Sequence, residues 1–151
     1  MNNPLYPFWA TLSACVLAQL IKPFVYYLRT KQWRARMILD SGNFPSSHSA
    51  LVSALVLSVG LRERFSSTIF AVSLVLAMIV LYDAANVRFY AGRNIQVTKQ
   101  LVNDFKSLTD GALDNPLYSA KMKEELGHQW LEILGGIVLG IGCALLLYWL
   151  L

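Results

Sequence analysis

A chain of 151 residues with 56% hydrophobic and 15% charged side chains departs from the average soluble domain, which carries about 45–50% apolar and about 25% charged residues. That argues against an ordinary soluble fold and for a single membrane-embedded domain over residues 1–151. The net charge of +4 is modest, and the basic residues hug apolar segments instead of forming a basic domain, so no nucleic-acid partner is expected.

The first apolar segment, about Leu5 to Leu28, is long enough to cross roughly 30 Å of hydrocarbon at about 1.5 Å per residue. No basic region precedes it and no small-residue cleavage pattern follows, so it is expected to stay as a permanent helix. Arg29 to Ser47 is a basic connection with a turn signal at Ser41-Gly42-Asn43. The second apolar segment, about His48 to Leu61, is short for a span, so its helix is expected to begin below the membrane surface or to run past Arg62. A turn at Arg62 to Ser66 leads to the third segment, about Ser67 to Tyr82. Arg88 to Gln129 is long and polar, but Val97, Leu101, Phe105 and Leu108 recur at helical spacing. They predict an amphipathic helix lying on the membrane or against the bundle, before the loop signals Asp110-Gly111 and Asn115-Pro116. The fourth apolar segment runs from about Trp130 to Leu151.

Helices are required, because an open sheet leaves backbone groups unpaired in lipid. The expected fold is therefore all-α: a polytopic bundle of about four transmembrane helices with one amphipathic interfacial helix. Such a bundle is thin, and a homodimer is compatible with it.

With four spans, the first and third connections share one side of the membrane and both termini share the other. Ten of the basic residues, from Arg29 to Lys123, fall on the first side, against Arg62 and Arg64 on the second. The positive-inside rule puts the first side in the cytoplasm and both termini outside. Trp9 and Trp149 then fall at the outer interface, as an aromatic belt requires. Cys15 and Cys143 both lie in apolar segments and read as small buried hydrophobes, with no bridge predicted between them.

The two histidines, His48 and His128, each stand where a polar connection enters an apolar helix on the same face. Pro45-Ser46-Ser47-His48 is a good helix start. Read blandly it is a cap; read functionally its N–H groups and hydroxyls cradle an anion, with a histidine placed to protonate a leaving oxygen. His128 and Glu132 are spaced i,i+4, so the carboxylate can fix the imidazole tautomer and leave the other ring nitrogen as a nucleophile; an ordinary helical polar pair is the simpler reading. Gly135, Gly136 and Gly140 allow close helix packing. Lys22 and Arg29, spaced i,i+7, line one helix face near the cytoplasmic end. Snorkelling would explain them, but Lys22 and Asp83 lie near or within apolar segments, where charge is expensive and usually functional or paired.

At these residues the sequence resembles the type 2 phosphatidic acid phosphatases, relatives of the vanadium haloperoxidases, whose motifs are KxxxxxxRP, PSGH and SRxxxxxHxxxD. Lys22 and Arg29 match the first, with Thr30 where proline is expected. Pro45 to His48 match the second, with Ser47 replacing glycine. His128 and Glu132 resemble the end of the third, with glutamate for aspartate; Met122 occupies the arginine position, and Arg88 is the better equivalent. A divergent bacterial branch is closer still, with PSSHSA, YDAxxVR and LGHxxxE read here as Pro45 to Ala50, Tyr82 to Arg88 and Leu126 to Glu132.

The resemblance implies a membrane lipid phosphate phosphatase of a bacterial inner membrane, and the charge count places its site on the cytoplasmic side. His128 is then the nucleophile, Glu132 orients it, and His48 protonates the leaving alcohol. Lys22, Arg29, Arg88, Ser46 and Ser47 hold the phosphate, and Asp83 supports them. The partners are a lipid phosphate and the surrounding membrane lipids; no cofactor or metal is required. A non-catalytic lipid-phosphate binder or transporter is the alternative. A structural membrane subunit and a vanadate-dependent peroxidase fit less well.

Overall fold

The computed structural model describes residues 3–39, 43–108 and 130–150, without the side chains of Leu39, Arg88 and Phe89. Five α-helices lie among them: α1 (Tyr6–Thr30), α2 (Ser47–Glu63), α3 (Thr68–Tyr82), α4 (Arg88–Leu108) and α5 (Trp130–Leu150). A 3-10 turn, Ala35–Leu39, sits between α1 and α2, and a π turn, Asp83–Val87, joins α3 to α4. The described chain is all-α, as composition and the demands of lipid on backbone groups require.

Of the four apolar segments, the one with the weakest apolar signal occupies the centre. α2 packs against α1, α3 and α5 and buries Ser47, Ser49, Ala50, Val52, Ala54, Ser58, Val59 and Gly60. Because its neighbours are helices and not lipid, α2 can be built from small and hydroxylated residues, which let backbones approach closely. Its 17 residues span only about 26 Å at 1.5 Å per residue, and it extends just past Arg62, one of the two expected alternatives. Among the described residues three helical runs are long and apolar enough to cross a membrane: Tyr6–Thr30, Thr68–Leu108 and Trp130–Leu150. α2 is the fourth member of the bundle, enclosed by the others.

α1 turns a row of every fourth residue inward. Tyr6, Ala10, Ala14 and Ala18 are fully buried and meet Ala50, Ala54, Cys143 and Ala144, while Phe8, Leu12, Val16, Leu20 and Phe24 stay exposed toward lipid. At the end of the bundle that holds both chain termini, the Tyr6 hydroxyl donates to the Ala144 carbonyl at 2.7 Å. An Arg62 guanidinium N–H donates to the Asn3 carbonyl and fixes α1 antiparallel to α2. Trp9 and Trp149 lie at this same end, in the first turns of α1 and the last turn of α5.

An amphipathic helix stands in this connection as the periodicity predicts; it begins at Arg88, where the π turn carries α3 into α4 without a break. Of the two placements expected, the exposure of Val97, Leu101, Phe105 and Leu108, all more than half exposed, fits the membrane surface and not the bundle; α4 makes its main contact with the π turn. Asp110-Gly111 and Asn115-Pro116 lie outside the described residues.

Candidate functional site

From the Asn3–Arg62 contact the buried row of α1 descends through Ala10, Ala14 and Ala18, and Lys22 is its next residue. In the antiparallel register this brings Lys22 level with the start of α2. Lys22 is completely buried, so its stem does not snorkel along lipid as the simpler reading of the sequence had it.

The start of α2 is built on Ser46. Its hydroxyl oxygen accepts from the Ser49 N–H at 3.3 Å and from the Ser49 hydroxyl at 2.9 Å, the side-chain cap that serine supplies at this position. The Ser46 N–H donates outside its own helix, to the Glu132 carbonyl in the first turn of α5 at 2.9 Å. The second and third motifs are therefore joined through the main chain. The first bond within α2 runs from the Ala50 N–H to the Ser46 carbonyl, so the N–H groups of Ser47 and His48 belong to the first turn, where a helix offers donors to an anion. Ser47 is buried and His48 half-buried.

Glycines make this junction possible. A Cβ at Gly136 would run into the Ser46 carbonyl and stand 2.8 Å from the Ser49 Cβ; one at Gly140 would stand 3.1 Å from the Ala50 Cα and closer still to its carbonyl. The ring of Phe44 occupies the space where Gly135 would carry a side chain. Arg29 stands over the same ring, with its guanidinium carbon 5.9 Å from the centroid, within cation–π range. Phe44 thus links the end of α1 to the start of α5. The π turn that begins with Asp83 also packs against α5, and Arg88 opens α4 directly after it.

One end of the bundle consequently gathers Lys22, Arg29, Ser46, Ser47, His48, Asp83 and Glu132, together with the backbone of Arg88. His128 lies outside the described residues, as does the Arg88 side chain. Ser46 has its N–H and hydroxyl oxygen engaged within the protein, so it joins helices as much as it offers donors. Three residues at this end have no individual role assigned from the sequence, although Phe44 and Ser49 fall within the cluster Ser41 to Ser49. Ser49 stands three residues after the cap, the spacing at which a serine side chain meets the capping residue. Phe44 carries no local signal, since its role depends on α5. Gln19 sits within the apolar segment one turn before Lys22, and its Oε1 is buried without a hydrogen-bond partner among the described residues, as is Nδ2 of Asn43.

Residues 2–143 match the family model described as the Divergent PAP2 family. The chain belongs to that family. The matched span contains the Lys22–Arg29 pair, the Pro45 to Ala50 block, the Tyr82 to Arg88 block and the His128–Glu132 pair. A relative, "Uncharacterized membrane protein YuiD" of Bacillus subtilis (strain 168), is 36% identical over 147 residues, covering 94% of this chain and 93% of its own length. No solved structure matches. With a membrane protein for a relative and three helical runs fit to span a bilayer, this divergent PAP2 protein is an integral membrane protein.

Proposed function

We propose that this protein is a lipid phosphate phosphatase that hydrolyses a phosphomonoester through a phosphohistidine intermediate. His128 attacks phosphorus; an N–P bond forms as the P–O bond to the lipid alcohol breaks, and His48 gives the leaving oxygen its proton. His48 then takes a proton from water, whose oxygen attacks phosphorus, breaks the N–P bond and releases inorganic phosphate. Glu132 accepts from the other ring nitrogen of His128 and fixes its tautomer. Lys22, Arg29 and Arg88 neutralise the phosphoryl oxygens, with the first-turn N–H groups of α2 adding donors and Asp83 holding the basic residues. Donors preorganised around developing charge are usually the largest catalytic term.

The observation that carries this reading is the Ser46 N–H to Glu132 carbonyl bond at 2.9 Å. It holds the acid–base histidine's helix against the helix bearing the orienting carboxylate. The positive-inside count supports a site on the cytoplasmic face of a bacterial inner membrane with both termini outside. The test is phosphate release by purified protein in detergent from phosphatidate, phosphatidylglycerol phosphate and a polyprenyl phosphate. Release that His128→Ala and His48→Ala abolish is expected; no release from any of the three, or full activity in His128→Ala, contradicts the mechanism.

One observation favours a second reading, a lipid-phosphate binder or transporter without turnover. The N–H and hydroxyl oxygen of Ser46 are engaged inside the protein, and serine stands at position 47 where the wider superfamily has glycine. Binding of the same lipids without phosphate release would select it.

A further inference from the structure

The bundle carries a long apolar groove that the chemistry above does not use. It has a volume of about 370 Å³ and lies between α3 and α5 with α2 as its floor. Phe70, Leu74, Ala77 and Leu81 of α3 form one wall, at the spacing of a single helix face; Ile137 and Ile141 of α5 form the other. The α2 floor includes one hydroxyl, that of Ser53. Two features distinguish it from an incidental lipid-facing crease. The outer end is closed by Phe65, which packs edge-to-face on Phe70 with centroids 5.2 Å apart and covers Gly60. The inner end comes near the level of the polar cluster: Leu81 is the last residue but one of α3, just before the π turn that begins with Asp83, and Ile137 is five residues, about 7.5 Å along the helix axis, beyond Glu132. A second groove, about 450 Å³ between α1 and α5, is lined on α5 by Cys143, Leu146 and Leu147, in the outer half of that helix and away from the cluster.

We infer that the α3–α5 groove holds one hydrocarbon chain of the lipid whose phosphate enters the polar cluster. This rests on the proposed site and deepens it. A phosphate at the inner end leaves its chain no polar route, and the groove offers an apolar channel of one helix face's width whose inner end lies near the level of the site. α3 buries only Ser73 and Ala77, so most of the wall on that side faces the bilayer and the chain enters laterally from it.

The test uses capture and not turnover. Purified wild-type protein is exposed to a long-chain alkyl phosphate carrying a diazirine midway along its chain, then irradiated and mapped. Label is expected on Leu74, Ala77, Ile137 and Ile141, suppressed at least ten-fold by excess unlabelled alkyl phosphate but not by the alcohol of the same chain. Ala77→Phe and, with less disturbance of buried packing, Leu74→Trp fill the groove and should cut that capture several-fold, while Leu146→Trp in the other groove should not. Label spread evenly over all lipid-facing helices, label concentrated between α1 and α5, or capture indifferent to the phosphate overturns the inference. Phosphate-dependent capture in the groove without any phosphate release leaves the groove standing and removes the phosphatase; release with scattered label removes only the groove.

Discussion

The main-chain N–H of Ser46 donates to the carbonyl of Glu132 at 2.9 Å, fastening the start of α2 to the first turn of α5. The bond requires two backbones at unusually close range. That range is set by Gly136 and Gly140, which present no side chain to Ser46, Ser49 and Ala50.

Replacing Gly140 by leucine should therefore separate α2 from α5. Overpacking of a tight core costs about 1–3 kcal/mol, and here the obstruction is backbone and not a movable side chain. Thermal unfolding in detergent should show a clear loss for Gly140→Leu and Gly136→Leu. Gly142→Ala is the control: a Cβ there meets nothing within 4 Å, and its midpoint should be unchanged or slightly raised, since alanine is the better helix former.

Lys22→Met should reduce phosphate release by about 10²–10³-fold at saturating lipid, the range for removing one preorganised donor from a charge-stabilising site. Lys22 is buried at the level of Ser46, so no neighbouring surface lysine can substitute for it. A variant with wild-type turnover would take Lys22 out of the site.

Tyr6→Phe probes the opposite end. It removes the hydroxyl bond to the Ala144 carbonyl at 2.7 Å, and interhelical hydrogen bonds in membranes average about 0.6 kcal/mol with a maximum of about 1.7. Stability should fall by that order, while activity per folded molecule stays the same. A drop in turnover comparable with that of Lys22→Met would show that the two ends are coupled.

Much of this arrangement was legible in the sequence, and the exceptions have physical causes. Apolar runs located α1, α3 and α5 to within a few residues, because lipid demands continuous apolar surface. α2 gave a weak signal for the opposite reason: Ala50, Ala54 and Ser58 face other helices. The start of α4 was hidden at Arg88, since a polar residue ends an apolar run without ending a helix. Local patterns did reveal Ser46 as a cap and Gly136 and Gly140 as packing residues. They could not reveal Phe44, whose place between Arg29 and Gly135 depends on two helices remote in sequence, nor the Arg62–Asn3 contact that sets the register.

The orientation rests on charge and can be read by chemical labelling. In a chain with Cys15→Ser and Cys143→Ala, Ser66→Cys in the outer turn should react with a membrane-impermeant thiol reagent on intact cells. Arg36→Cys, on the exposed side of the 3-10 turn, should react only after permeabilisation. The reverse pattern would put the site outside.

The central claim is that one phosphate is handed from lipid to His128 at the end of the bundle where Lys22, His48 and Glu132 meet. Incubating purified protein with a lipid carrying labelled phosphate, quenching rapidly and isolating the polypeptide measures this directly. Covalent label on His128 in the wild type, absent from His128→Ala and accumulating in His48→Ala if water activation slows more than transfer, is the predicted result. Phosphate release without any covalent label, or label on another residue, would contradict it.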